Sequence, residues 1–227
     1  MKRMWIIPLF LVTAIMGFAQ TTHYDVALTA DSTGVVITGF TGSATTVNVP
    51  ANLEGLPVKA IGKGAFGNKN IRIITIPRGV TVIESEAFAG TRTLATVNLP
   101  DTLQKIGDRA FSSTGLTSVK IPENCINIGE GAFENCRTIR AVQFPNDLLV
   151  IPAAMFLGCD AITKVDFPIA LREMKSRAFA DCKMLAVLNF PPLVTSVVFA
   201  SDVFIGCPKI NMGAQVTLKK LGYEGSF

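Results

Sequence analysis

A hydrophobic residue followed directly by proline recurs at near-constant intervals along most of the sequence. The seven pairs are Val49-Pro50, Ile76-Pro77, Leu99-Pro100, Ile121-Pro122, Phe144-Pro145, Phe167-Pro168 and Phe190-Pro191. From Ile76 onward the steps are 23, 22, 23, 23 and 23 residues. A fixed period of this size is typical of a solenoid, in which each repeat forms one coil and stacks on its neighbours. The spacing therefore predicts a repeat solenoid with about seven coils of about 23 residues.

Within each unit, short apolar runs and one aromatic residue recur at fixed offsets. Leu94, Val97 and Leu99 are spaced as expected for a short strand with one buried side. Proline then ends the pairing, because it has no N–H to donate to a neighbouring strand. Eleven residues after the proline lies a phenylalanine, in most units preceded by alanine: Phe88, Phe111, Phe133, Phe156 and Phe179. We expect short parallel β-strands and a single file of phenylalanines, because coils stacked about 4.8 Å apart bury these side chains continuously.

The regions before and after the regular repeats have patterns of their own. Residues 20–48 contain two alternating apolar stretches around the turn sequence DSTG, which predicts a β-hairpin cap. Residues 49–212 form the repeat array. In residues 213–227, the apolar spacing from Val216 to Leu221 predicts a short helical cap, with Gly222 ending the helix. Irregular end units are expected, because they must cover the first and last coils.

The first 19 residues have the features of a secretory signal peptide. Lys2 and Arg3 precede a nearly continuous apolar stretch from Trp5 to Phe18, and small residues lie at the expected cleavage position before Gln20. A retained membrane anchor is the alternative. The apolar stretch is shorter than the roughly 20 residues needed to span a bilayer, however, and Pro8 interrupts it. We expect an exported protein that is secreted, periplasmic or at the cell surface, with no transmembrane segment after cleavage.

Charge and chemistry-bearing residues argue against several classes of function. The formal net charge is +4, and removal of Lys2 and Arg3 would lower it to +2. We therefore expect no nucleic-acid partner, which requires a concentrated basic face. His23 is the sole histidine, and the acidic residues are scattered without an evident acid–base pair. The sequence predicts a monomer with no enzymatic activity, no cofactor and no metal site.

Five cysteines occur in the predicted array. Cys136, Cys159, Cys182 and Cys207 each lie three residues after the repeat phenylalanine, whereas Cys125 lies in the second apolar run. A disulfide framework is one interpretation for an exported chain. Earlier units carry Lys69, Thr91 and Thr114 at the same offset, so this position does not require sulfur. Parallel Cβ vectors in stacked coils are also a poor geometry for a disulfide. We expect all five cysteines to be reduced, buried and packed as small hydrophobic side chains.

The outward positions of the predicted strands are the candidate binding surface. One column contains Thr75, Asn98, Lys120, Gln143, Asp166 and Asn189, and the column beside it includes Ser118 and Lys164. Solenoid proteins use extended faces of this kind for binding. The alternative is a solvated sheet without a ligand, because the columns lack the aromatic and arginine anchors of tight protein interfaces.

The repeated frame resembles that of the BspA-like bacterial leucine-rich repeat family. The stretches CINIGEGAFENC (125–136) and LQKIGDRAF (103–111) show the similarity best. The resemblance implies a leucine-rich repeat solenoid with its strands on the concave face. It also implies a non-catalytic exported or surface protein linked to adhesion to host matrix proteins or other cells. Proline here replaces the asparagine that follows the strand in ordinary leucine-rich repeats, so binding rules from those proteins do not transfer.

The leading hypothesis is a secreted or cell-surface binding module that engages a protein or glycan, such as a host matrix or another cell surface, through the strand face. The alternative is a periplasmic or surface structural scaffold without a host ligand. The two hypotheses differ in where the protein is located and in whether it binds a matrix protein.

Overall fold

A computed structural model describes residues 23–227, and the predicted signal peptide at 1–19 lies outside them. The described residues form short strands and one helix in this order: β1 (Tyr24–Leu28), β2 (Val35–Phe40), β3 (Thr46–Asn48), β4 (Asn52–Leu53), β5 (Leu56–Ile61), β6 (Ile73–Thr75), β7 (Val82–Ile83), β8 (Thr96–Asn98), β9 (Lys105–Ile106), β10 (Ser118–Lys120), β11 (Asn127–Ile128), β12 (Ala141–Gln143), β13 (Val150–Ile151), β14 (Lys164–Asp166), β15 (Glu173–Met174), β16 (Val187–Asn189), β17 (Val198–Phe199) and α1 (Met212–Lys220). The chain is a solenoid of about seven coils, as the sequence predicted. We number coils 1 to 7 by their buried phenylalanines: Phe66, Phe88, Phe111, Phe133, Phe156, Phe179 and Phe204.

The strands lie in two rows along the stack. The first row consists of three-residue strands, namely β3, β6, β8, β10, β12, β14 and β16, which pair in parallel within three hydrogen-bonded segments. The second row runs from β2 through β5, β7, β9 and β11, and then from β13 through β15 to β17, again in parallel. Each first-row strand ends just before a hydrophobic residue and the repeat proline, because proline cannot continue the ladder.

A tight turn around the repeat phenylalanine forms the third side of each coil. Its backbone also bonds from coil to coil: Phe88 N–H donates to the carbonyl of Ala110, and Phe111 N–H to that of Ala132, both at 2.8 Å. In most coils, residues two before and two after the phenylalanine have a positive φ, for example Arg109 at 50° and Ser113 at 58°. Glycine, Asn and Asp recur at the second of these positions because they tolerate the left-handed region best.

The phenylalanines fill the centre of the solenoid in single file, which confirms the predicted arrangement. Ring centroids are 5.0 Å apart between Phe88 and Phe111, and 5.4 Å apart for Phe111–Phe133 and Phe133–Phe156. These rings are within 7° of parallel and fully buried. Offset stacking at this separation is favourable for aromatic rings, so each coil is bound to the next by a repeated contact as well as by backbone hydrogen bonds.

Three coils have glycine where the second strand row turns into the phenylalanine segment, at Gly62, Gly107 and Gly129. A Cβ added at Gly107 would collide with the backbone of Glu84 and Ser85 in the preceding coil. The close approach places the Gly107 N–H 2.8 Å from the carbonyl oxygen of Ile83. The same bond forms where the corner residue is not glycine, as from the Glu84 N–H to the Ile61 carbonyl at 2.8 Å, so glycine here avoids a steric clash and does not create the bond.

Both ends of the stack are covered, as the sequence predicted. Strands β1 and β2 form an antiparallel hairpin, and the ring of Phe40 contacts that of Phe66, with centroids 5.3 Å apart. At the other end, the Asn211 side chain caps α1 by accepting a bond from the N–H of Ala214 at 2.9 Å. Tyr223 then packs edge-on against Phe204. Each open end of the phenylalanine file thus receives an aromatic neighbour from a cap.

Candidate functional site: the strand face

The outward side of the first strand row is the surface that we call the strand face. In each of β10, β12, β14 and β16 the middle residue is buried and the two flanking residues are exposed. Alternation follows from the two-residue period of a β-strand, which sends successive side chains to opposite sides. The middle residue therefore packs on the core and holds its two neighbours outward at a fixed spacing.

The pairing register places the predicted binding residues in two columns. Thr75 is opposite Asn98, Lys120 is opposite Gln143, and Asp166 is opposite Asn189. In the adjacent column, Ser118 is opposite Ala141 and Lys164 is opposite Val187. The eight predicted residues thus lie on one face of the fold, as side chains of neighbouring coils. Their role in binding remains a prediction.

The structure adds one coil to this face. Strand β3 pairs with β6 so that Thr46 is opposite Ile73 and Asn48 is opposite Thr75. The two columns therefore begin at Thr46 and Asn48, inside the segment assigned to the N-terminal cap. The signal was present in the sequence, because Val47, Val49 and Pro50 repeat the spacing of a strand and its terminal proline.

At two places on the strand face, neighbouring coils bond to each other through their side chains. The Asn98 amide donates to the Thr75 hydroxyl at 3.1 Å, and the Asn189 amide donates to the Asp166 carboxylate at 2.7 Å. Lys164 Nζ lies 3.1 Å from the same carboxylate. The bond from Asn189 and the charge of Lys164 lower the pKa of Asp166 below its ordinary value. These side chains already satisfy one another and contribute to cohesion between coils.

At the centre of the strand face, the polar side chains are not bonded to one another. Ser118, Lys120 and Gln143 make no side-chain hydrogen bond or ion pair with other residues of the described part of the chain. Beside Lys120 lies a shallow groove of about 390 Å³, whose lining includes Asp101, Glu123 and Asn124. An ammonium group, an amide and a hydroxyl on coils 3 and 4 are therefore available to a ligand without breaking an internal bond.

The cysteine column lies in the core, on the turn side of each coil. All five cysteines are buried with free thiols in the structure. Four of them donate to the carbonyl of the repeat phenylalanine one coil earlier: Cys136 to Phe111 at 3.0 Å, Cys159 to Phe133 at 3.2 Å, Cys182 to Phe156 at 3.2 Å and Cys207 to Phe179 at 3.0 Å. The column is thus a row of hydrogen-bond donors, a role that the interpretation as small hydrophobic side chains missed. Burial raises the pKa of Cys136 to about 11 and that of Cys125 to about 12, so both thiols stay protonated at neutral pH.

Other chemistry-bearing groups do not converge within the described residues. His23 lies exposed at the start of the described chain. No group of three or more His, Cys, Asp or Glu side chains in residues 23–227 is arranged to hold a metal ion. Over the same range, no helix combines the length and apolar character that a membrane crossing requires.

Parallel strand rows, a proline after each first-row strand and a buried phenylalanine file define the class of this protein as a leucine-rich repeat solenoid. The chain belongs to the BspA type leucine-rich repeat family: residues 59–186 match the BspA type leucine-rich repeat region in six copies. Members of this family are typically non-catalytic binding modules. No curated protein sequence matches the chain.

Solved structures of bacterial leucine-rich repeat proteins resemble this fold. A leucine-rich repeat protein of T. pallidum is 29% identical with a TM-score of 0.85, and the alignment covers 90% of this chain and 96% of that one. A leucine-rich repeat protein from Bacteroides ovatus is 22% identical with a TM-score of 0.56, covering 75% and 52% of the two chains. The pneumococcal vaccine antigen PcpA is 20% identical with a TM-score of 0.56, covering 79% and 48%. The present chain spans about half the length of the last two, for which the likeness shows the fold alone.

Proposed function

We propose that this protein is an exported, non-catalytic binding module that engages a protein ligand through the strand face, as a secreted or cell-surface adhesion factor. Membership of a family of protein-binding scaffolds supports this proposal. Export is supported by the predicted signal peptide. We choose the strand face because three polar side chains at its centre make no hydrogen bond within the described residues, namely Ser118, Lys120 and Gln143.

The strand face is pre-organised for binding. The buried residues Val119 and Val142 anchor β10 and β12, and the parallel register fixes Lys120 opposite Gln143. A ligand that bonds to these two side chains does not have to order the backbone that carries them, so less conformational entropy is lost on binding. The paired side chains at either side, Asn98 with Thr75 and Asn189 with Asp166, hold the flanking coils in the same register.

A matched pair of double variants tests this surface. Lys120→Ala/Gln143→Ala removes an ammonium and an amide from facing positions on the strand face. Lys105→Ala/Asn127→Ala removes the same two groups from facing positions on the second strand row. Binding to a panel of immobilised extracellular matrix proteins should weaken at least about tenfold in the first variant, since hydrogen bonds to a charged group each contribute about 1.5–3 kcal/mol. It should stay within about twofold of the wild type in the second.

Two results would count against the proposal. Equal weakening in the two variants would mean that the binding reflects general charge and not the strand face. No binding to any matrix protein, together with wild-type protein retained in the cell envelope after fractionation, would favour a structural scaffold without a host ligand.

A further variant tests the charges at the edge of the strand face. The exchange Lys164→Glu/Asp166→Lys preserves the ion pair with reversed sign and shows whether ligand binding depends on the positions of these two charges.

A further inference from the structure

Charge is unevenly distributed around the coils. The segments that lead from the phenylalanine turn into the first strand row carry seven basic residues, Lys69, Arg72, Arg92, Arg137, Arg140, Lys183 and Lys209, and one acidic residue, Asp160. The segments that leave the first row, on its opposite side, carry Arg78 and Arg172 together with Asp101, Glu123 and Asp147. We call the first set of segments the basic edge. A small overall charge therefore conceals an excess of cations along one side of the stack.

Coil 3 has a gap in this edge. The step from Leu99 to Ile121 is 22 residues, one fewer than the usual 23, and the missing residue falls in this segment. Coils 2 and 4 carry Arg92-Thr93 and Arg137-Thr138 between the turn and the next buried residue, whereas coil 3 carries Gly115 alone. A Cβ at Gly115 would collide with the carbonyl oxygen of Arg92. The shortened coil closes only because that position has no side chain, and it leaves a notch between two arginines.

The notch is a polar groove of about 490 Å³, lined by Arg92, Ser113, Gly115, Asn135, Arg137 and Thr138 and by the backbone around Thr114. Arg92 forms no ion pair with any acidic residue of the described chain. Arg137 has only a long contact, 3.9 Å from its Nε to a carboxylate oxygen of Asp160. The backbones of coils 2 and 4 are about 10 Å apart, at twice the spacing of adjacent strands. Guanidinium groups from both sides can therefore reach one anionic group held between them.

We propose that this notch binds the carboxylate or sulfate groups of an anionic saccharide, whose chain then follows the basic edge from coil to coil. The lining carries guanidinium, hydroxyl and amide groups and no aromatic side chain. Tight protein interfaces rely on buried aromatic and apolar anchors, and single-stranded nucleic acid relies on aromatic platforms for its bases. An anionic saccharide needs neither apolar anchors nor aromatic platforms, because its hydroxyl and charged groups bind to polar side chains. This site is separate from the strand face and does not depend on the function proposed for it.

The test compares two double variants on two anionic polymers. Arg92→Ala/Arg137→Ala removes both walls of the notch. As a control, Arg172→Ala/Lys105→Ala removes two positive charges that lie away from the basic edge, one just before β15 and one in β9. Dextran sulfate supplies sulfate groups, polygalacturonate supplies carboxylates, and unmodified dextran is the neutral reference. The notch variant should bind at least one of the anionic polymers at least about tenfold more weakly than the wild type, with the control within about twofold. Comparing the two polymers identifies the anionic group. Circular dichroism melting of each variant confirms that the solenoid is intact.

Three outcomes would overturn this assignment. The wild type could bind neither polymer more tightly than dextran. The notch and control variants could weaken to the same extent, which would mean that net charge alone governs binding. Polyglutamate or single-stranded DNA could bind through Arg92 and Arg137 as tightly as the saccharides, which would assign the notch to a different class of partner.

Discussion

The hydroxyl of Thr91 donates a hydrogen bond of 2.6 Å to the carbonyl oxygen of Phe66, one coil earlier in the stack. Four cysteines make the equivalent bond in later coils, so Thr and Cys occupy one structural position through a shared property. Both are small enough to be buried between coils, and both can donate to a carbonyl. The column therefore connects coil 2 and coils 4 to 7 to the phenylalanine turn of the coil before each. In coil 3, Thr114 donates instead to the carbonyl of Phe111 in its own coil.

Thr91 tests this connection most sharply, because its hydroxyl is the sole hydrogen-bond donor to the Phe66 carbonyl among the described residues. Thr91→Val keeps the shape and leaves that buried carbonyl unsatisfied, so we expect the free energy of unfolding to fall by about 1–3 kcal/mol. Thr91→Cys restores a weaker donor and should cost less. Thr93→Val removes a comparable bond, from Thr93 to the Ile71 carbonyl, at an exposed position that water can reach, and serves as the control. Urea unfolding measures all three, and equal losses for Thr91→Val and Thr93→Val would contradict the account.

The phenylalanine file should dominate the stability of the solenoid. Phe133 is fully buried between the rings of Phe111 and Phe156. Replacing it with alanine leaves a cavity in the middle of the stack, and we expect a loss of about 3–5 kcal/mol in the free energy of unfolding. Phe227 contacts Tyr223 at the partly exposed end of the chain, and its replacement should cost far less. Similar losses at the two positions, measured by denaturant unfolding, would show that the file has no special role.

The buried thiols predict a loss of stability at alkaline pH. Burial raises the pKa of Cys136 from 9.0 to about 11, so the folded state keeps a proton that the unfolded state releases earlier. The stabilisation is full below pH 9 and is lost as the pH rises towards 11. We expect the difference in unfolding free energy between the wild type and Cys136→Thr to fall over this range, by up to about 2 kcal/mol. A difference that stays constant from pH 8 to pH 11 would mean that the thiol is not held protonated by burial.

We expect the turn of the N-terminal hairpin to lose stability in acid. Hydrogen bonds from the Thr29 hydroxyl, the Thr33 N–H and the Thr33 hydroxyl hold the pKa of Asp31 at about 2, below its ordinary value of 3.8. Because the pKa is lowered in the folded state, the ionised Asp31 carboxylate stabilises the turn fully above pH 3.8, and this stabilisation is lost as the pH falls towards 2. An NMR titration of the Asp31 carboxyl carbon should show that midpoint, and Thr33→Val should raise it. An unchanged midpoint in Thr33→Val would exclude the hydroxyl as a cause.

The sequence predicted the architecture well because one physical requirement repeats in every unit. A buried residue, an outward residue and a terminal proline recur together, so the strand at Ser118–Lys120 and its register with Ala141–Gln143 follow from spacing alone. The two caps were also predicted from local signals, namely the DSTG turn and Gly222, whose φ is 103°. Period and turn chemistry are local properties, and a sequence displays them directly.

The features that the sequence did not predict depend on contacts between coils. The donor role of the cysteine column becomes visible only when Cys159 is seen 3.2 Å from the carbonyl of Phe133, although the mixture of Thr and Cys at one offset was a usable signal. The notch arises because Gly115 shortens one coil, which leaves a gap between arginines 45 residues apart in sequence. Net charge could not indicate it, since the cations of one edge are balanced by acids elsewhere.

We infer that a continuous file of phenylalanine rings sets the coil spacing on which the strand face and the basic edge both depend. Ring-to-ring NOEs in protein with selectively labelled phenylalanine measure this order directly. We expect contacts from Phe133 to Phe111 and Phe156, which lie 5.4 Å away on either side, and none to Phe88 or Phe179, two coils distant. Absent neighbour contacts, or contacts between rings two coils apart, would contradict it.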